Sequence, residues 1–214
     1  SLCAVIIYYR ASIVLLTQDF LSSILTSKMQ GDSVLAWGVL LGTIPVGLAG
    51  LFFNDYVEMN LRSFEAVAYA TIFFGLALGL SDLVHRVRGI NREVIGGSDI
   101  LIVGCAQALA LIPGTSRAGI TITAALLIGL SRKLSIKFAF LLSIPVITLA
   151  TIMKLFELSN QSQQVNWILL LFGFAIAFLT SYFTIVFFIK LVEKIGFLPF
   201  VVYRIFLGAL LLLI

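Results

Sequence analysis

The apolar and polar positions along the chain alternate in blocks, giving eight apolar runs with short polar connections. Run A, Ser1 to Leu16, falls short of the ~20 residues a bilayer span needs, as a truncated helix would. A polar loop to Ser33 is expected after it. Run B, Val34 to Phe53, contains Pro45 as a kink and Gly38/Gly42 at a spacing suited to close helix packing. After an acidic loop, Asn54 to Arg62, run C covers Ser63 to Val84 and repeats the small-residue spacing at Gly75/Gly79. Runs D (Ile100 to Ile112) and E (Gly119 to Leu130) are each about 20 Å long as helices, too short to cross alone. Run F is Phe138 to Leu155. The polar loop Ser159 to Gln164 separates it from G, Trp167 to Ile189, and H is Phe197 to Ile214.

Between D and E lies Pro113-Gly114-Thr115-Ser116-Arg117-Ala118-Gly119-Ile120-Thr121, with no other charge between Asp99 and Arg132. A charged side chain at membrane depth costs about 2.5–3.5 kcal/mol on insertion scales and reads as functional by default. Pro113 ends the preceding helix, and Gly114 and Gly119 free the backbone to turn. The turn points N–H groups, the Ser116 hydroxyl and the Arg117 guanidinium at one small volume. Such a nest suits an anion, phosphate first, because the arginine fork matches two phosphate oxygens.

Composition makes the chain a polytopic all-α membrane protein: of 214 residues 61% are hydrophobic and 11% charged, and mean hydropathy is +1.14. The pI near 9.2 does not indicate nucleic acid, because the basic residues sit in short loops and report orientation. If D and E form a re-entrant hairpin, one side holds Arg10, Lys28, Arg86, Arg88, Arg92, Arg132, Lys133, Lys137, Lys190 and Lys194, and the other Arg62 and Lys154. That is ten against two, whereas a single D plus E crossing gives six against six. The hairpin is therefore expected to span 99–130, with both ends cytoplasmic and about six crossings around it. The crossings before it run in, out, in and those after it out, in, out, as in two inverted repeats, 1–84 and 99–214, of one membrane domain. The counterpart hairpin is expected upstream of Ser1, since run A begins inside an apolar stretch.

For Ser116, Arg117 and Thr121 the competing reading is a polar plug closing helix ends, at odds with an arginine flanked by glycines. Gln107 either lines the same cavity or bonds a neighbouring backbone. Arg204 reads as snorkelling to an interface or pairing with a carboxylate, and His85 as an interfacial residue. Trp37, Trp167, Tyr56 and Tyr203 read as an aromatic belt. Cys3 and Cys105 lie in apolar runs and form no disulfide or metal pattern. Phosphoryl transfer also calls for a base and usually a divalent cation. Yet Asp19, Asp32, Asp55, Glu58, Glu65, Asp82, Glu93, Asp99, Glu157 and Glu193 all fall in loops or at segment ends. Those groups, and any metal ligands, are expected before Ser1.

The central stretch resembles the PGxSRSxxT motif of the bacterial undecaprenyl-diphosphatase (bacitracin-resistance) family. The flanks Gly104 to Ala110, Phe140 to Pro145 and Phe197 to Arg204 are also similar. The resemblance implies hydrolysis of undecaprenyl diphosphate to undecaprenyl phosphate and phosphate, recycling the carrier lipid of cell-wall synthesis in the bacterial inner membrane. It also implies Mg²⁺ or Ca²⁺ as cofactor, bacitracin competing for the substrate, and pairing of two copies as an open option. By the same resemblance Arg117 holds the diphosphate, Ser116 is nucleophile or positioner, and Thr121 supports the site. Gly114, Thr115, Gly119 and Gln107 contribute to substrate binding. Ala118 stands in place of the family's second serine, and the family's glutamate-rich first motif with its histidine lies outside this chain, so the fragment alone is expected to be inactive. The rival class is a lipid-phosphate transporter or flippase with a re-entrant anion site. Acid-phosphatase-like chemistry needs histidines near the arginine, and His85 is the one histidine in the sequence.

Overall fold

A computed structural model describes residues 1–29, 31–160 and 167–213. Among these the regular structure is helical: α1 (Leu2–Tyr8), α2 (Arg10–Thr26), α3 (Ser33–Leu41), α4 (Ile44–Asn60), α5 (Phe64–Arg88), α6 (Gly97–Ala108), α7 (Arg117–Leu127), α8 (Arg132–Asn160), α9 (Trp167–Ile195) and α10 (Leu198–Leu211). By length and composition four stretches suffice to cross a bilayer, Ser33–Asn60, Phe64–Arg88, Arg132–Phe156 and Trp167–Ile195. A fifth appears if α1 and α2, bent by 79°, count as one. The hydropathy pattern predicts about six. Run H yields only the 14-residue α10.

Several expected loops are helical. The polar stretch after Leu16 continues as α2 to Thr26, because Thr17, Ser23 and Thr26 turn their hydroxyls back onto the carbonyls of Ile13, Phe20 and Ser22. The helix ends only where Ser27 takes a left-handed conformation, φ 53°. The acidic loop is the last turn of α4, carrying a Glu58–Arg62 pair at 2.8 Å. Arg132, Lys133 and Lys137 open α8 instead of preceding it. Pro45 kinks no continuous helix. It stands in the first turn of α4, after a break at Gly42 and Thr43, where its missing N–H costs nothing. Trp37 packs its ring on Phe20 and donates to Ser23 Oγ at 3.1 Å, which ties α3 to α2. The expected polar loop lies outside the described residues beyond Asn160.

Small residues set how closely the helices cross. An added Cβ on Gly104 would stand 2.9 Å from Gly42 Cα, so α6 meets the α3–α4 break backbone to backbone. Gly75 and Gly79 on α5 receive Arg204 and Val201 of α10, and Gly208 of α10 lies against Ile72 and Ala68 of α5. These contacts bring Arg204 to the centre of the molecule. Between the pairs runs α7, buried from Gly119 to Leu126 and packed against α5, α6 and α8.

The basic segments gather at one end. Lys137 pairs with Asp32 at 2.9 Å, Arg132 Nε donates to the buried Asp82 at 2.8 Å, and Arg86 bonds both Asp82 and the Ile195 carbonyl. Arg92 forms a fork on Asp99, at 2.8 and 3.0 Å, and also donates to the Ile128 carbonyl at 2.8 Å. One side chain thus joins the start of α6 to the end of α7, and backbone bonds from Arg92 N to Gly129 O and from Ser131 N to Arg92 O complete the staple. Run D therefore enters and run E leaves at the same end.

Burial pushes the Asp99 carboxyl up, but the Arg92 hydrogen bonds and charge and the Gly96 N–H outweigh it and hold the group below its ordinary value. A carboxylate depressed by folding contributes stability above its unfolded pKa, and this is lost as pH falls through the folded value. Thermal unfolding in detergent between neutral pH and pH ~3 is expected to show Tm falling at the acid end. Asp99→Asn is expected to lower the neutral-pH Tm and flatten that acid dependence. An unchanged profile in the variant would remove the staple from the account.

Candidate functional site

The turn at the apex of the hairpin is built from its proline and glycine. Ile112 is extended, φ −69° and ψ 118°, as a residue before proline prefers, and so the short 3-10 turn Leu109–Leu111 stops there. Gly114 follows at φ +91°. A Cβ at that position would collide with the Val67 carbonyl oxygen and lie 2.8 Å from Thr71 Oγ1, so only glycine fits against α5. Thr115 is fully buried with its N–H on Ile112 O at 3.2 Å, and its hydroxyl has no partner. Ser116, at φ 66°, caps α7: its Oγ accepts from Gly119 N–H at 3.2 Å while the residue remains exposed. The first N–H groups of α7 and the positive end of its dipole lie at this exposed cap, the setting of anion sites at helix N-termini.

Arg204 of α10 reaches this turn. Its Nη2 donates to the Gly114 carbonyl at 2.5 Å, and its Nη1 is buried with no hydrogen-bond partner among the described residues. A Cβ on Gly119 would stand 3.0 Å from that Nη1 and 3.2 Å from Ser116 Oγ, so Gly119 keeps the space in which guanidinium and hydroxyl sit together. Beside them is a cavity of about 430 Å³, lined by Gly114, Ser116, Ala118, Gly119, Ile122 and Arg204, and by Val67, Thr71, Leu78, Phe188, Phe197, Phe200, Tyr203, Leu207 and Leu211.

The structure brings Gly114, Ser116 and Gly119 onto this cavity and leaves other expected residues off it. Arg117, the first residue of α7, is half-buried; among the described residues its guanidinium makes no hydrogen bond or ion pair, and it is not on the cavity wall. Thr121 is fully buried and returns its hydroxyl to the carbonyls of Arg117 and Ala118, at 2.9 and 3.1 Å, so it braces the first turn of α7. Gln107 is fully buried, and its Nε2 lies 3.4 Å from the Gly42 carbonyl, at the α3–α4 break. His85, in the last turn of α5 beside Arg86, is buried in the protein with Nε2 3.0 Å from the Leu130 carbonyl oxygen. Arg204 does not snorkel, because Gly75 and Gly119 leave it a slot into the interior. The available signal was a second arginine deep in an apolar run opposite a glycine-spaced helix.

Among the described residues no group of three or more His, Cys, Asp or Glu stands close enough to hold a metal ion. The charged groups near the turn, Arg117 and Arg204, would repel a divalent cation. These residues do not fit the implied Mg²⁺ or Ca²⁺.

An apolar multi-helix bundle with a capped helix N-terminus and two arginines near it makes a membrane protein with a turn suited to an anion. The chain belongs to the family described as bacitracin resistance protein BacA, which matches residues 1–210. Relatives carry the name undecaprenyl-diphosphatase. The chain is 55% identical over 208 residues to that of Ruthia magnifica subsp. Calyptogena magnifica, covering 97% of this chain and 78% of the relative. It is 52% identical over 211 residues to that of Vesicomyosocius okutanii subsp. Calyptogena okutanii, covering 99% and 80%. To undecaprenyl-diphosphatase 2 of Stutzerimonas stutzeri it is 47% identical, covering 100% and 80%.

Proposed function

We propose that this protein hydrolyses undecaprenyl diphosphate with water, releasing undecaprenyl phosphate and inorganic phosphate. The observation that carries the reading is the apex of the hairpin: a capped helix N-terminus, an exposed hydroxyl and an arginine with an unpartnered Nη1 meet beside an apolar cavity. Family membership supports the same reaction.

In this reading the diphosphate sits at the N-terminus of α7. Arg117 and Arg204 offset the charge on its oxygens, and Gly114 and Gly119 give the phosphate room to approach the backbone. Ser116 serves as a positioning donor and not as the nucleophile. Its Oγ accepts a hydrogen bond from Gly119 N–H, and His85, Asp82 and Asp99 are engaged away from this turn, with Leu130, Arg86 and Arg92, so its O–H is free to donate to a phosphate oxygen. Thr121 acts through the first turn of α7. Gln107 holds the hairpin against the α3–α4 break, and Thr115 lies fully buried at the apex.

We further take 99–130 as a re-entrant hairpin in a six-crossing, inverted-repeat protein of the bacterial inner membrane. The Arg92 staple and the gathering of basic residues at one end support that topology. The test is phosphate release by the full-length protein in detergent, beside Arg117→Ala and Arg117→Lys. Loss of about a hundredfold or more in the alanine variant, with partial recovery in lysine, is expected. Alanine turnover equal to the unsubstituted protein would overturn the site.

A further inference from the structure

We propose that α2 lies in the plane of the membrane and docks one face on the headgroup–acyl boundary of the leaflet at the basic end. The inference goes beyond the phosphate chemistry above and does not depend on it. The first observation is direction. A bend of 79° at Tyr9 turns α2 nearly square to α1. Tyr9, just before α2, packs on Phe140 of α8 with ring centres 6.0 Å apart. Farther along, the Asp19 carboxylate accepts from the Asp32 N–H at 2.8 Å, and Asp32 pairs with Lys137 of α8 at 2.9 Å. From Tyr9 to Asp19 a helix advances about 15 Å, yet Phe140 and Lys137 are only about 4.5 Å apart along α8. Thus α2 runs across α8, a helix long and apolar enough to cross the bilayer, and so it lies along the membrane.

The second observation is that each side of α2 meets a different neighbour. Leu16, Phe20 and Ser23 face the protein: Leu16 is buried in the core with Leu134 and Phe138, and Phe20 and Ser23 hold Trp37. Ser12, Asp19 and Thr26 make a polar edge, where Asp19 meets the connection to α3. On the opposite edge Ile13 and Thr17 line an apolar groove of about 330 Å³ walled by Leu40, Ile144 and Pro145, farther along α3 and α8 than the Asp32–Lys137 pair. Thr17 turns its hydroxyl onto the Ile13 carbonyl at 2.8 Å, so this edge is apolar in effect. Between the two edges stands the outward face, Val14, Gln18, Leu21 and Leu25, spaced as a single stripe of a helix. All four are exposed, Leu25 to 84%. Three apolar side chains suit acyl chains, whereas the Gln18 amide needs polar groups within reach, which headgroups supply and the bilayer core does not. Lys28 follows α2, and Lys133 is exposed in the first turn of α8, so the leaflet they favour carries anionic lipid.

Depth measurements on the full-length protein in vesicles of phosphatidylethanolamine and phosphatidylglycerol test this without turnover. Spin labels are placed on single cysteines substituted for Ser12, Val14, Gln18, Leu21, Leu25 and Thr26, with Cys3 and Cys105 replaced by serine. Relaxation by oxygen against a water-soluble nickel chelate reads the depth of each. Labels at Val14, Gln18, Leu21 and Leu25 are expected at one shared depth, about 5–10 Å inside the boundary, and those at Ser12 and Thr26 in water. A depth that changes by about 16 Å from Val14 to Leu25, as along a spanning helix, overturns the proposal. So does free access of the nickel chelate to every label. Gln18→Trp gives a second reading that keeps both cysteines and leaves the packed face untouched. Its added fluorescence is expected to be quenched most by lipid brominated near the headgroup; strongest quenching by bromine near the chain ends, or none from either, overturns the placement.

Discussion

Gly114→Ala is expected to abolish phosphate release and to lower thermal stability in the same protein. An alanine held at φ +91° costs about 1–2 kcal/mol on conformation alone. The added methyl also meets the Val67 carbonyl oxygen and stands 2.8 Å from Thr71 Oγ1, both on the rigid α5. Overpacking of that kind adds about 1–3 kcal/mol. Relief requires the turn to move away from α5, carrying Ser116 and the Arg204 contact with it. A displacement near 1 Å at a reacting centre costs on the order of a hundredfold in rate. Tm and phosphate release, measured together in detergent, should therefore fall together. Gly119→Ala is the milder companion, since its methyl meets side-chain atoms, Arg204 Nη1 at 3.0 Å and Ser116 Oγ at 3.2 Å, and not backbone. Near-normal activity in Gly114→Ala would mean that the turn does not hold the substrate.

Arg204→Ala carries the second large effect. Removing the guanidinium leaves the Gly114 carbonyl without its charged donor, and a hydrogen bond to a charged group is worth about 1.5–3 kcal/mol. Substrate binding loses its cation at the same stroke. Arg204→Lys keeps the charge but presents a point and not a fork, so it cannot hold the carbonyl and a phosphate oxygen together. The expectation is a steep fall in kcat/KM for alanine and an intermediate one for lysine, with KM rising in both. Titration of methylenediphosphonate, a non-cleavable analogue, separates the roles. A purely structural Arg204 would lower Tm and leave that affinity alone.

The sequence made the turn at 113–119 legible because its geometry is local. Pro113, Gly114, Ser116 and Gly119 act through their own backbone and immediate neighbours, and the structure shows each doing so. The glycine spacings were legible for the same reason, since a missing side chain predicts close approach whatever the partner. Loop boundaries were not. Thr17, Ser23 and Thr26 look like loop residues by polarity but satisfy their hydroxyls on their own helix. What Arg204 and Gln107 bind was hidden for a different reason, although a backbone bond was one of the two readings open for Gln107. Their partners, Gly114 and Gly42, lie 90 and 65 residues away in sequence, and no periodicity reports a side chain that reaches a distant carbonyl. Thr121 was expected to support the site, and the structure sets its hydroxyl on the first turn of α7. Arg117, first in the motif reading, stands unpaired but off the cavity wall, while Arg204 is on it.

The most direct test of the central claim is a phosphorus balance in sealed vesicles containing the full-length protein and undecaprenyl diphosphate. Phosphorus NMR follows lipid diphosphate, lipid monophosphate and inorganic phosphate together. The account predicts loss of diphosphate with equal gains of monophosphate lipid and free phosphate, both abolished by Arg117→Ala. Movement of intact lipid diphosphate from one leaflet to the other, with no free phosphate, would contradict it and make the same turn the anion clamp of a transporter.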